Sequence, residues 1–256
     1  MSRDPAALAA RLVAARRTRT ALRLSRNEIP TDLSDAYAVQ DLTLREATPA
    51  AWKVGYVQPD RRFGLPLERF CGPTPALLQA PSHELSFDPI PGGFAAIEAE
   101  IVLRLARDFV PDEPPDGAAD LRAMVDGQFA GVEIAGSPCS EILALGPLGA
   151  ICDHGNSLAV GVGPPLPDAV LDAPARPEVT VAVGERSYPS GSPACLPGGP
   201  LASLAFLFAN LAARGRSLPA GTWVATGALT GVHPIAPGEQ ATVTFSGHPP
   251  LRVRCA

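Results

Sequence analysis

Glu98 and Glu100 flank Ala99 in an otherwise apolar run, Ile97-Glu98-Ala99-Glu100-Ile101. On a strand, residues i and i+2 project to the same face, about 7 Å apart along it. On a helix the two side chains diverge and the convergence is lost. Two carboxylates on one face of a partly buried strand repel, and keeping them ionised is costly unless a cation lies between them. Glu133 lies in a second apolar run, Gly131-Val132-Glu133-Ile134-Ala135. On a neighbouring strand it would complete an all-oxygen donor set, which suits Mg2+ or Mn2+ and leaves positions for water or substrate. Glu-x-Glu alone is also what a solvated strand face looks like, so the set needs support from elsewhere. The four histidines show no HxH or HxxxH spacing, which argues against zinc. Lys53, in Trp52-Lys53-Val54-Gly55, is the chain's one lysine, every other basic side chain being arginine or histidine. A single amine kept where arginine is the rule suggests a role that arginine cannot fill.

These residues need strands to carry them. Residues 51–57 (AWKVGYV), 94–106 (FAAIEAEIVLRLA) and 128–136 (QFAGVEIAG) read as strands, with 156–162 and 178–184 as further candidates. Residues 5–24 and 34–47 read as helices, the second with Ser34 or Asp35 as cap, and 119–127 as a short one. The clearest helix is 199–214, with Pro200 in its first turn and Gly215 just past its end. From Gln58 to Glu84, prolines including Pro59, Pro66, Pro73 and Pro75 break the pattern, and a loop over the site is expected. Beyond Trp223, strands alternate with Gly/Pro turns to Val253. The division expected is residues 1–80, a small helical and loop region, and 81–256, a mostly β domain carrying the site.

The chain has 256 residues, 46% of them apolar and 18% charged, with a net charge of −5. That describes a globular protein with one good core. There is no basic patch interleaved with aromatics, so nucleic acid is not an expected partner. No apolar run approaches the roughly 20 residues of a membrane span. Five cysteines without a CxxC pair fit a reducing compartment, and a cytoplasmic location is expected. Residues 5–24 are rich in Ala and Arg and free of acid. That is also transit-peptide composition, but a helix of the mature fold is the expected reading.

Seven segments, in order, resemble the 2-keto-4-pentenoate hydratase and 4-oxalocrotonate decarboxylase family of the fumarylacetoacetate hydrolase superfamily. They are AYAVQ (36–40), AWKVGYV (51–57), IEAEIVLRL (97–105), GVEIAGS (131–137), DHGNSLAVGVG (153–163), PLASLAFLFANLAARGRSLPAG (200–221) and VATGALTGVHPIAPGE (224–239). The resemblance implies an α+β fold: a mostly β, roll- or sandwich-like catalytic domain with a small N-terminal helical region. It implies Glu98, Glu100 and Glu133 as ligands of Mg2+ or Mn2+, with Glu rather than the hydrolases' Asp as the third. It implies Lys53 and Asn156 as catalytic residues, Lys53 orienting a carboxylate or shuttling a proton with its pKa lowered by burial or neighbouring cations, and Thr226, Gly227 and Ala228 as a strand-end turn against the substrate, Thr226 donating a hydrogen bond. His154 and His233 are expected to be loop and structural residues. The substrate implied is a small anionic 2-oxo or enol acid, and the assembly a homo-oligomer.

The activity implied first is a hydratase, adding water to a 2-hydroxy-2,4-dienoate to give a 4-hydroxy-2-oxo acid. A decarboxylase, a C–C hydrolase of acylpyruvate type and a non-catalytic 2-oxo acid binder stand as alternatives. Two departures bear on the choice. Where relatives carry an acid in a Pro-Asp-Phe-Gly-like stretch, this chain reads Leu67-Glu68-Arg69-Phe70-Cys71-Gly72-Pro73, placing Phe70 at the acidic position with Glu68 nearby. Where an Asp often precedes the Ser, this chain has Gly136-Ser137.

Overall fold

The computed structural model describes residues 4–46, 48–79, 82–171 and 177–256. Asp4 caps the first helix, α1 (Pro5–Thr18), its carboxylate accepting from Ala6 N–H at 2.9 Å. The helix stops short of residue 24 because Arg19 turns left-handed (φ 53°) and bonds back to Arg16 O. The second, α2 (Leu33–Thr43), is capped by Asp32, which accepts from Asp35 N–H. The cap is thus Asp32 rather than Ser34 or Asp35, since the helix starts earlier than expected. There follow β1 (Ala51–Tyr56), β2 (Arg69–Thr74), β3 (Ala76–Gln79), β4 (Glu84–Phe87), β5 (Phe94–Leu105), α3 (Gly117–Ala123), β6 (Val125–Ser137), α4 (Gly146–Cys152) and β7 (Ser157–Pro165). The chain ends with β8 (Val179–Val183), β9 (Arg186–Ser187), α5 (Gly199–Ala213), β10 (Trp223–Ala225), β11 (His233–Pro234), β12 (Gln240–Phe245) and β13 (Leu251–Cys255).

The strands make two sheets. The larger runs β2-β1-β10-β5-β6-β7-β3, with β11 added against β5, and the smaller runs β4-β13-β12-β8-β9. The larger sheet curls: Thr74 Oγ1 on β2 and Ser157 Oγ on β7 lie 3.0 Å apart, though five positions apart in one sheet order. Ile97, Ala99, Ile101 and Leu103 join the main core on one face of β5. On the other face, Val102 joins a separate buried cluster with Val160, Val162 and Ala225, edged by Phe129 and Trp223. Alternation puts Glu98 and Glu100 on this second face, inside the curl and away from water. Helix α5 buries Leu204, Leu207, Phe208 and Leu211, each contributing roughly 1.5–3 kcal/mol. The ring of Phe208 also stacks on Phe109 at 4.2 Å.

The fold is α+β and mostly β, as expected, with α1 and α2 packed together near its start. The expected boundary between residues 80 and 81 lies outside the described residues. Strands on both sides of it share the larger sheet, so residues 51–79 are part of the site-bearing scaffold and not of a separate helical unit. The loop expected over 58–84 is corrected as well: it contains β2 and β3. All five cysteines are free thiols. Among the described residues, no helix is long and apolar enough to cross a membrane.

Candidate metal centre

Antiparallel pairing of β5 with β6 sets Glu98 directly opposite Glu133, and Glu100 opposite Gly131. One carboxylate oxygen from each of Glu98, Glu100 and Glu133 lies within 4.8 Å of the others, and all three residues are buried. At that separation two unit charges repel by roughly 3–4 kcal/mol at an effective dielectric constant near 20. Burial and then the charge of Glu133 push the Glu98 carboxyl up to about 8. Burial, Glu133 and Glu98 raise Glu100 well above the ordinary carboxylate range. Glu100 Oε1 and both oxygens of Glu133 accept no hydrogen bond.

The residues present fit a divalent cation. The donors are hard oxygens, three of them buried without hydrogen bonds, and converging. Gly131 leaves space beside Glu100, where a Cβ would lie 2.3 Å from Val102 Cγ2. Glu100 is aimed by the backbone: Gly227 N–H donates to its Oε2 at 2.7 Å. Gly227 has φ 121°, a conformation that L side chains rarely adopt, so glycine is required there.

Lys53 comes from β1, two strands from β5 across β10. Its Nζ lies 3.1 Å from Glu133 Oε2 as an ion pair, without the angle of a good hydrogen bond. Nζ also stands 4.9 Å from the centroid of the Phe70 ring. Its stem is backed by Gly155, where a Cβ would approach Lys53 Cδ to 3.1 Å. The expectation of a lowered lysine pKa is corrected. Burial pulls it down, but Glu133, Glu98 and Glu100 outweigh burial and hold the ammonium above the ordinary lysine range. The neighbours that shift it are carboxyl groups rather than cations.

The other expected residues divide. Asn156 is buried next to the site in a left-handed conformation (φ 62°), with Oδ1 unpartnered. Thr226 does not offer its hydroxyl hydrogen to a substrate, because Oγ1 donates to Ile101 O at 2.7 Å. Gly227 approaches Glu100 rather than open space, and Ala228 follows it with no polar side-chain group to offer. This turn therefore aims the Glu100 carboxylate. Glu68 does not replace the acid missing at Phe70: it is half exposed and pairs with Arg69 at 2.6 Å. His233 bonds Thr230 Oγ1 and stacks on Tyr188, a structural role as expected.

His154 bonds Thr43 Oγ1 at 3.0 Å. Since Thr43 donates its own hydrogen to Gln40 O, His154 must carry its proton on Nε2. Burial and Arg16 hold its pKa down to about 4, so it is neutral near pH 7.

Sequence reasoning named Gly227 but missed the other glycines that shape the site. Gly72 is one: a Cβ there would lie 2.5 Å from Gly155 N and His154 O. Only strand register reveals these positions. Two surface hollows of about 400 and 440 Å³ lie elsewhere and are lined by none of the three carboxylates.

No family model matches the chain. Two curated relatives, 4-oxalocrotonate decarboxylases of Pseudomonas putida and Pseudomonas sp. (strain CF600), are 44% and 42% identical over 57 residues. Those stretches cover 22% of this chain and 22% of each relative, so the match spans about a fifth of the relatives' length. The solved structure of 4-oxalocrotonate decarboxylase from Pseudomonas putida G7, complexed with magnesium and adipate, is similar with a TM-score of 0.81 at 23% identity. It covers 98% of this chain and 97% of that one. The same protein complexed with calcium and acetate gives 0.80 at 24% identity, with the same coverage. Fumarylpyruvate hydrolase from Pseudomonas aeruginosa, in complex with Mn2+ and pyruvate, gives 0.55 at 19% identity over 80% of this chain and 88% of that one. The resemblance carried by seven sequence segments therefore extends to the whole backbone: this chain has the fold of 4-oxalocrotonate decarboxylase and, more distantly, that of the fumarylacetoacetate hydrolase superfamily.

Proposed function

We propose that this protein is a divalent-metal-dependent lyase that decarboxylates an unsaturated 2-oxo diacid of the 4-oxalocrotonate type. Glu98, Glu100 and Glu133 would hold the cation. When bound, Mg2+ or Mn2+ supplies Lewis acidity toward the substrate's carboxylate and 2-oxo oxygens. Lys53 contributes a buried ammonium beside Glu133, suited to orient an anionic substrate. In the reaction, the C–C bond to the distal carboxylate breaks and CO2 leaves. The electron pair passes through the C=C bond to the 2-oxo oxygen, giving a dienolate. One proton then completes the 2-hydroxydienoate, and Lys53 is the proton-bearing group beside the site. Asn156 offers a free acceptor to a substrate hydroxyl or a water.

The observation that carries this reading is Phe70 against Lys53. Hydration needs water admitted and a second proton-transfer group; bond cleavage to a delocalised anion needs neither and gains from a dry wall. The likeness to the two decarboxylase structures supports it at the level of fold. Hydration of a 2-hydroxy-2,4-dienoate is the second reading, favoured by the unpartnered Asn156 Oδ1 as a site for a water O–H. The test follows CO2 release from 2-oxohex-3-enedioate and loss of dienoate absorbance, each with Mg2+ supplied. We expect CO2 release, abolished in Glu100→Ala, with Phe70→Asp raising the ratio of hydration to decarboxylation. Dienoate hydration without CO2 release from the diacid would overturn the first reading in favour of the second.

A further inference from the structure

Leu8, Leu12 and Arg16 follow one another at four-residue spacing on α1, so they share one face. Leu8 and Leu12 are buried, and burying that stripe drives the Arg16 side chain into the end of the larger sheet, where it is 11% exposed. There it makes four bonds. Nε donates to Asp153 Oδ1 at 2.5 Å, one terminal nitrogen to Ser157 O at 2.9 Å, and the other to Gly136 O and Asp153 O at 3.1 Å each. These acceptors belong to the end of β6, the turn after α4 and the first residue of β7. The planar fork is suited to joining three such segments, and a lysine in its place is not.

The turn so held is unusual. His154, Gly155 and Asn156 have φ of 55°, 68° and 62°, three consecutive left-handed residues of which two are not glycine. Such a run persists only where the surroundings over-determine it. The same turn backs the Lys53 stem through Gly155 and carries Asn156. Asp153, fully buried, has one oxygen on Arg16 and the other unpartnered, so Arg16 is its counter-charge.

We propose that Arg16 is a positioning residue of the site: from the N-terminal helix, it locks the 153–157 turn and thereby fixes Lys53 and Asn156. As it bears on catalysis, this rests on the lyase reading above. The structural part is tested without any substrate, by amide hydrogen exchange across residues 153–157 in Arg16→Ala, Arg16→Lys and the control Arg11→Ala, whose guanidinium pairs only with exposed groups on Glu28 and Arg23. Exchange is expected to quicken about tenfold or more in Arg16→Ala and less in Arg16→Lys, with Arg11→Ala at the wild-type rate. In the enzymatic assay kcat should fall by about 10- to 100-fold with KM nearly unchanged, and added guanidinium should restore part of it. Mn2+ affinity should stay close to wild type, because Arg16 touches none of the three carboxylates. If Arg16→Ala does not fold, Arg16→Lys carries the same comparisons. Unchanged exchange at 153–157, or kcat as high as in Arg11→Ala, overturns the proposal. If the wild type turns over no acid, the lyase reading fails, while the exchange result still decides what Arg16 holds.

Discussion

At pH 6 a divalent cation entering the Glu98, Glu100 and Glu133 cluster has protons to displace. The Glu98 carboxyl is pushed up to about 8 by burial and by Glu133, and Glu100 is raised well above the ordinary carboxylate range by burial, Glu133 and Glu98. Ligation requires both as carboxylates, so binding and proton release are one event. For the Glu98 proton alone, apparent affinity rises about 50-fold between pH 6 and pH 8, and the Glu100 proton steepens the dependence further. The assay is calorimetric titration of Mn2+ into the metal-stripped protein, repeated in buffers of different ionisation enthalpy, so that heat reports the protons released. We expect between one and two protons per ion at pH 6.5. In Glu98→Gln the count should drop by about one, with weaker binding throughout. Affinity that is flat from pH 6 to pH 8, with no proton release, would show that the carboxylates are already ionised in the empty site. The argument from burial and mutual repulsion would then be wrong.

Three further outcomes are expected. The metal-stripped protein should lose stability as pH rises from about 4.5 to about 8, because Glu98 binds its proton more tightly folded than unfolded; the loss is on the order of 4 kcal/mol, and saturating Mg2+ should abolish it in thermal melts. Lys53, raised in the fold, stays protonated in both states across that window and does not enter. Gly227→Ala should cost about 1–3 kcal/mol for its φ of 121° and should also weaken Mn2+ binding, since Gly227 N–H aims Glu100; melting and titration measure the two effects. Gln40→Ala should cost about 2–3 kcal/mol by denaturant titration with metal affinity unchanged, because fully buried Gln40 donates to Cys71 O and Ile151 O and accepts from Arg214.

The carboxylate set was legible because β5 and β6 interrupt long apolar runs with acids at strand spacing, and only a paired sheet brings 98, 100 and 133 together. Helix α5 was legible from Pro200 and Gly215, which mark its two ends. Strands β2 and β3 were not. Pro73 reads as a breaker, yet among the described residues β2 is an edge strand pairing only with β1, where a residue without an N–H is tolerated. Helix α4 was hidden for a similar reason: Gly-Pro-Leu-Gly-Ala-Ile-Cys has poor helix propensity, and burial of all seven residues supplies what propensity lacks. The sign of the Lys53 shift was misread because sequence does not give its neighbours. Beside Glu133, with Glu98 and Glu100 nearby, the lysine faces three carboxyl groups and no cation that lowers its pKa. Thr226 was assigned outward for want of one fact: the Ile101 carbonyl lies 2.7 Å from its hydroxyl.

Lys53 is the chain's sole lysine and is 3% exposed, so the surface presents guanidinium groups but no ε-amine. Reagents that acylate amines should therefore modify this side chain slowly, only when the interior opens to solvent. The slow phase of such labelling is a clock for that opening, readable by mass spectrometry without mutation or tag. A substrate analogue that closes the interior should stop the clock, whereas a molecule resting on the outside would leave it running.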